Sequence, residues 1–214
     1  METELPRLSG GRLCLDFANT VGPRVDVEGE QAHDFLGGYA HLVQWAGHAG
    51  ILGAENASRL LAAAARAPAA AQSTFEAAIG LREAIYRSFS AIAQGAAPDP
   101  ADLGGMQRAY AEAMAHARIQ PQGSGLAWAW AGGGDDLGRV WWPVARSAVD
   151  LAVAGPLQRV KQCPLPDGCA WLFLDSTKNG SRRWCSMEEC GGQAKARRQS
   201  ARRRAARRGR VVAG

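Results

Sequence analysis

Apolar positions in the first two thirds of the chain recur with a helical period. Leu36, Tyr39, Leu42, Val43 and Ala46 share one helix face. So do Phe75, Ile79, Ile85, Phe89 and Ile92, and then Leu103, Met106, Tyr110 and Ala117. Ser73-Thr74-Phe75-Glu76 has the form of a capping box, which predicts a helix start at Ser73 and loops over residues 66–72 and 94–100. Asp99 before Pro100 marks the next start, an acidic cap followed by proline at the first helical position. Leu13-Cys14-Leu15-Asp16-Phe17, behind Gly10-Gly11, suits either a strand or a helix start.

The period then changes. Leu126, Trp128 and Trp130 alternate with alanines, Gly132-Gly133-Gly134-Asp135-Asp136 follows, and Leu137 to Trp142 comes next, which predicts a β-hairpin with a glycine-rich turn. Pro143 opens a helix that buries Val144, Ala148, Leu151 and Ala152, with Gly155 as a left-handed cap and Pro156 as the breaker. A boundary is expected between Gly155 and Val160. The expected fold is mainly α with a small β-hairpin: a helical body over 1–158, a four-cysteine finger of hairpin and helix over 159–198, and an arginine-rich tail over 199–214, disordered or a fraying helix.

Charge sharpens that division. Residues 1–158 carry eleven Lys and Arg against sixteen Asp and Glu, a net of −5; residues 159–214 carry fourteen against four, a net of +10. An acidic body thus precedes a cationic module. No apolar stretch reaches the roughly 18 residues of a membrane span, and the polar, acidic start lacks the pattern of a secretory signal. A reducing cytoplasm is the expected location, where cysteines are read first as metal ligands or buried thiols.

Four of the five cysteines, Cys163, Cys169, Cys185 and Cys190, form the pattern C-x5-C-x15-C-x4-C. Two ligand pairs on two short loops are what a tetrahedral zinc ion needs. Disulfides and clustered core thiols are the alternatives. Cys163-Pro-Leu-Pro-Asp-Gly-Cys169 is a turn able to aim both sulfurs inward; Trp171 to Leu174 has strand composition, Lys178-Asn179-Gly180 a turn signature, and Ser181 to Cys185 is expected to return as the second strand. The expectation is one structural Zn2+ per chain, since four thiolates leave no open coordination position. A finger of this size buries too little apolar surface to fold without such a pin. Cys14, in an apolar run, is expected to be a buried thiol.

Beyond Cys190 the chain is rich in arginine, whose planar fork suits phosphate. Arg182, Arg183, Trp184, Lys195, Arg197, Arg198, Arg202 and Arg203 are the candidate nucleic-acid contacts, with Trp184 as the candidate base stacker. A solvated cationic tail and an anionic membrane surface are the competing readings; the second lacks an apolar face to insert.

Taken with Cys163 and Cys169, the segments Ala170-Trp171-Leu172-Phe173-Leu174-Asp175, Asn179-Gly-Ser-Arg182-Arg183-Trp184-Cys185-Ser186-Met187, Cys190-Gly191 and Lys195-x-Arg197 resemble the CGNR zinc finger. Leu15-Asp16-Phe17-Ala18-Asn19-Thr20 and the helical body resemble the ABATE domain that usually precedes it. The resemblance covers nearly the whole chain and implies a bacterial, stress-induced transcription regulator that binds DNA ahead of RNA. The signature Cys-Gly-Asn-Arg is here Cys190-Gly191-Gly192-Gln193, so the cysteine is kept and the Asn and Arg are not.

Asp16 and Asn19 either cap the following segment or line a ligand pocket in the body. No triad order, paired-carboxylate motif or phosphate-binding glycine loop occurs, and no enzyme activity is expected. The leading reading is a nucleic-acid-binding regulator whose body senses a small-molecule effector or forms a homodimer. The rivals are a ligand-binding or enzymatic body with the finger as an assembly element, and a protein-interaction adaptor.

Overall fold

The computed structural model describes residues 5–24, 32–131, 134–164 and 169–212, with side chains described as far as Arg203. Gly132 and Gly133 of the expected glycine-rich turn, and Leu165 to Gly168 between the first two cysteines, lie outside the described residues.

The chain is helical over its body. Leu13–Ala18 resolves to a helix, α1. It sits at the centre of the body, with Cys14, Leu15, Phe17 and Ala18 fully buried. Tyr39–His48 (α2), Ala54–Arg66 (α3), Pro68–Ala93 (α4), Pro100–Ala115 (α5) and Trp142–Ala154 (α6) are the other helices of the body. α1 packs directly on α4 and α6, and Phe17 meets Trp45 of α2 at 4.9 Å between ring centroids. The expected face of α2 is confirmed, with Tyr39, Leu42, Val43 and Ala46 buried and Trp45 added. Asp99 caps α5 as expected, its carboxylate accepting from the Ala101 amide at 2.7 Å.

Three body expectations are corrected. The helix predicted from Ser73 begins at Pro68. Proline supplies the first-turn geometry and residues 69–71 are alanines, so helix formation starts before the capping box and Ser73 lies inside it. The body hairpin also lies elsewhere. Ala117–Gln122 (β3) pairs antiparallel with Gly125–Trp130 (β4) in the register Ile119↔Trp128. The turn is Gly123-Ser124, with Gly123 at φ +57°, a two-residue connection of the kind that favours glycine. Leu137–Val140, expected as the return strand, is a 3-10 turn capped by Asp136, which leads directly into α6. Gly155 ends α6 in an extended conformation, φ −84°, not a left-handed one. Glycine is needed there because a Cβ would lie 2.5 Å from the Leu151 carbonyl oxygen.

Two short strands complete the body's lower edge, Val21–Gly22 (β1) and His33–Asp34 (β2). Buried Arg82 of α4 holds Asp34 through two hydrogen bonds of 2.8 Å. The C-terminal region contributes Val160–Gln162 (β5), Leu172–Leu174 (β6) and the long helix Gly192–Val212 (α7). α7 continues as helix through the expected tail as far as Val212.

Candidate metal centre

The finger hairpin is built from different partners than the sequence suggested. β6 pairs antiparallel with β5, in the register Val160↔Leu174 and Gln162↔Leu172. Residues 181–185, expected as the second strand, form no strand. The reason lies in the loop over 175–182, which is organised around a buried carboxylate. Asp175 accepts from Lys161 Nζ at 2.6 Å, from the Thr177 amide and hydroxyl at 2.9 and 2.6 Å, and from the Arg182 amide at 3.0 Å. Those bonds fold the segment into a compact turn and draw its backbone away from ladder pairing. Burial alone would raise the Asp175 pKa, but the bonds from Lys161 and Thr177 outweigh it and hold the carboxyl well below the usual range. Nothing in the local composition marked Asp175 as a hub.

Each cysteine is placed by one of these elements. Cys163 follows β5 directly and its amide donates to the Trp171 carbonyl at 2.8 Å. Cys169 precedes β6 by way of Ala170, a non-glycine residue at φ 57°. Cys185 lies at the end of the Asp175 loop. Cys190 sits in a π-type turn, Met187–Gly191, capped by Ser186 through its hydroxyl. Gly191 packs closely there: a Cβ would stand 3.2 Å from Trp184 Cδ1 and 2.9 Å from Sδ of the exposed Met187 side chain.

The result is a tight sulfur cluster. Cys169 and Cys185 Sγ are 3.4 Å apart, and Cys190 lies 3.6 Å from each. All four sulfurs fall within 4.8 Å of one another, and all are free thiols. A tetrahedral zinc ion with bonds of about 2.3 Å sets its sulfurs about 3.8 Å apart. The spacing therefore fits a metal ion at the centre of the four. Neighbouring thiols split the acidities: hydrogen bonds from Cys169, Cys185 and Cys190 push Cys163 down, while Cys163, Cys169 and Cys190 push Cys185 up. A divalent cation at the centre would let all four ionise together. Trp171, Phe173, Trp184 and Ala194 pack around the sulfurs and keep water away. Cys14 is elsewhere, fully buried in the body core, its thiol pushed up to about 12 by burial.

The finger is seated firmly on the body. Asn19, fully buried at the end of α1, donates to the Leu172 carbonyl at 2.8 Å and accepts from the Leu172 amide at 2.9 Å. Both ends of its amide are thereby engaged with the outer edge of β6. Trp171 Nε1 donates to the Val21 carbonyl at 2.7 Å, and the Leu174 amide donates to the Gly10 carbonyl at 2.8 Å. Val160, Leu172 and Leu174 belong to the same buried cluster as Phe17 and Trp45. Asp16 accepts from the Gly10 amide at 2.7 Å, and burial raises its pKa to about 6 against the opposing pull of that amide, Arg182 and His48.

The candidate nucleic-acid residues divide into two groups. Arg182 and Trp184 face inward. The Arg182 guanidinium donates to the carbonyls of Trp184 at 3.0 Å, Ser9 at 2.9 Å and Cys185, and lies over the Phe173 ring at 4.4 Å. Trp184 is buried against the cysteine cluster and Gly191, so its ring is packing rather than a stacking platform. Arg183, Lys195, Arg197, Arg198, Arg202 and Arg203 are exposed. Ala194 is the last buried position among the described side chains of α7.

A helical body joined through a buried seam to a four-cysteine finger, with a basic helix leaving it, is the architecture of a metal-binding finger protein. The comparisons with known families agree. Residues 11–155 match the ABATE model, described as "Putative stress-induced transcription regulator", and residues 159–203 match the CGNR zinc finger. The chain belongs to the ABATE family, with a CGNR zinc finger at its C-terminal end. No curated protein is similar enough in sequence to match the chain. Among the described residues no helix is long and apolar enough to cross a membrane.

Proposed function

We propose that the protein is a transcription regulator that binds nucleic acid through α7, and that one structural zinc ion, held by Cys163, Cys169, Cys185 and Cys190, fixes the base of that helix. The exposed cations carry the reading. Arg183, Lys195, Arg197, Arg198, Arg202 and Arg203 begin at the metal centre and continue along α7. Neutralising phosphates with such residues releases condensed counterions, which drives association. Zinc is favoured because four thiolates in a tetrahedral arrangement suit it. The same set leaves no coordination position for water or substrate, so the ion's work is structural and the protein's role is binding rather than catalysis. Free thiols in a reducing cytoplasm are the state such a site requires.

Affinity for a duplex measured against salt concentration tests the reading. Six phosphate contacts give a log–log slope of roughly −5. A flat slope, or no binding at about 50 mM salt, refutes it.

A further inference from the structure

We infer that α7 is an ordered helix that enters the major groove of B-form duplex DNA, rather than a cationic strip that rests on any polyanion. The inference rests on the nucleic-acid reading above and names its partner. Three properties of α7 point to it. The first is length: 21 helical residues extend about 31 Å, close to one turn of B-DNA. The second is the charge distribution. At about 100° per residue, Arg198 and Arg203 stand about 140° apart around the axis, and both are exposed. A helix lying on a single phosphate strand uses one stripe of charge. A helix inside a groove meets phosphates on both walls, so cations on widely separated sides are all engaged. The third is isolation. Beyond Ala194 no described side chain of α7 is buried, and the helix packs on the π-type turn that leads into it.

An isolated helix whose Arg198 and Arg202 face each other one turn apart is weakened by like-charge repulsion. Phosphates on both flanks remove that repulsion. Helix order along α7 and groove occupancy therefore support each other. The groove also selects the nucleic acid. The major groove of B-DNA is about 12 Å wide and admits a helix of 10–12 Å diameter. That of A-form RNA is deep and narrow and does not. Arg183, exposed on the finger beside the Trp184 ring at 5.8 Å, would contact the backbone at the groove's edge.

The metal-loaded full-length chain should be titrated with a DNA duplex of about 20 base pairs and with the RNA duplex of the same sequence at equal salt. At least tenfold tighter binding to DNA is expected, with displacement by a major-groove dye and no displacement by a minor-groove ligand. Ala201→Pro, which keeps every charge and lies eleven residues beyond Cys190, should abolish the DNA preference while leaving the salt dependence. Equal affinity for both duplexes, displacement by the minor-groove ligand alone, or an Ala201→Pro variant that discriminates like the parent chain overturns the groove inference. Failure to bind any nucleic acid overturns the functional reading itself.

Discussion

Asn19 is the sharpest test of how the finger is held. Its amide bridges both backbone groups of Leu172, and both residues are fully buried. Asn19→Ala removes both bonds and leaves the Leu172 amide and carbonyl without partners. Each buried orphan costs about 1–3 kcal/mol, and the vacated volume adds a smaller amount. A loss of about 3–5 kcal/mol follows, which for a chain of this length lowers the melting temperature by roughly 6–20 °C. Because Trp171, whose carbonyl receives the Cys163 amide, immediately precedes Leu172, the variant should also release metal more readily to a chelator. Asn19→Asp is the informative companion. It keeps the shape but places an anion against the Leu172 carbonyl, so at neutral pH it should cost at least as much as alanine. Thermal unfolding followed by circular dichroism, with zinc release read by a chromogenic chelator, measures both effects. An aspartate variant as stable as the parent chain would show that the clamp does not hold the finger.

Other outcomes follow from the same contacts. Arg182→Ala should lower finger stability and leave the slope of log affinity against log salt unchanged, because its guanidinium is bound to carbonyls; Arg198→Ala should leave stability unchanged and reduce that slope by about one. Asp16→Asn should stabilise the protein at neutral pH. The folded carboxyl titrates near about 6, above its ordinary 3.8, so the ionised form costs stability above pH 6 and the advantage of asparagine disappears as pH falls toward 3.8. Asp175→Asn should destabilise at neutral pH; the depressed folded pKa means that the carboxylate's contribution is present above the unfolded value and fades as pH falls below it, so the two chains should converge in acid. Gly10→Ala should destabilise strongly, since its Cβ would sit 2.8 Å from the Asp16 nitrogen and 2.9 Å from the Leu15 carbonyl carbon, and that backbone cannot yield.

Parts of this arrangement were legible in the sequence for a physical reason. The four cysteines declare their chemistry by residue type and lie within a short stretch, and the helices α2, α5 and α6 follow from a local period, α5 with its Asp99 cap as well. What escaped depended on distant partners. β6 could pair with either flank, and the choice fell to Val160–Gln162 because Asp175 gathers the other flank into a turn. Arg182 read as a phosphate contact from its charge, yet one of its acceptors, the Ser9 carbonyl, is 173 residues away. Trp184 read as a stacker beside two arginines, but Gly191 and the sulfurs close over it. Asn19 was open between a cap and a pocket residue, and the bond that occupies it spans 153 residues. The β3–β4 turn at Gly123-Ser124 carries a two-residue glycine signal, but the tryptophan alternation that follows it points equally to a turn at Gly132.

The metal is the hinge of the whole proposal, and elemental analysis of protein purified under reducing conditions tests it most directly. One zinc per chain is expected, with Cys163, Cys169, Cys185 and Cys190 protected from alkylation until a chelator is added, and with Cys185→Ser losing both the metal and the order of the finger. Reduced, folded protein that holds no zinc and whose four thiols react freely would contradict it.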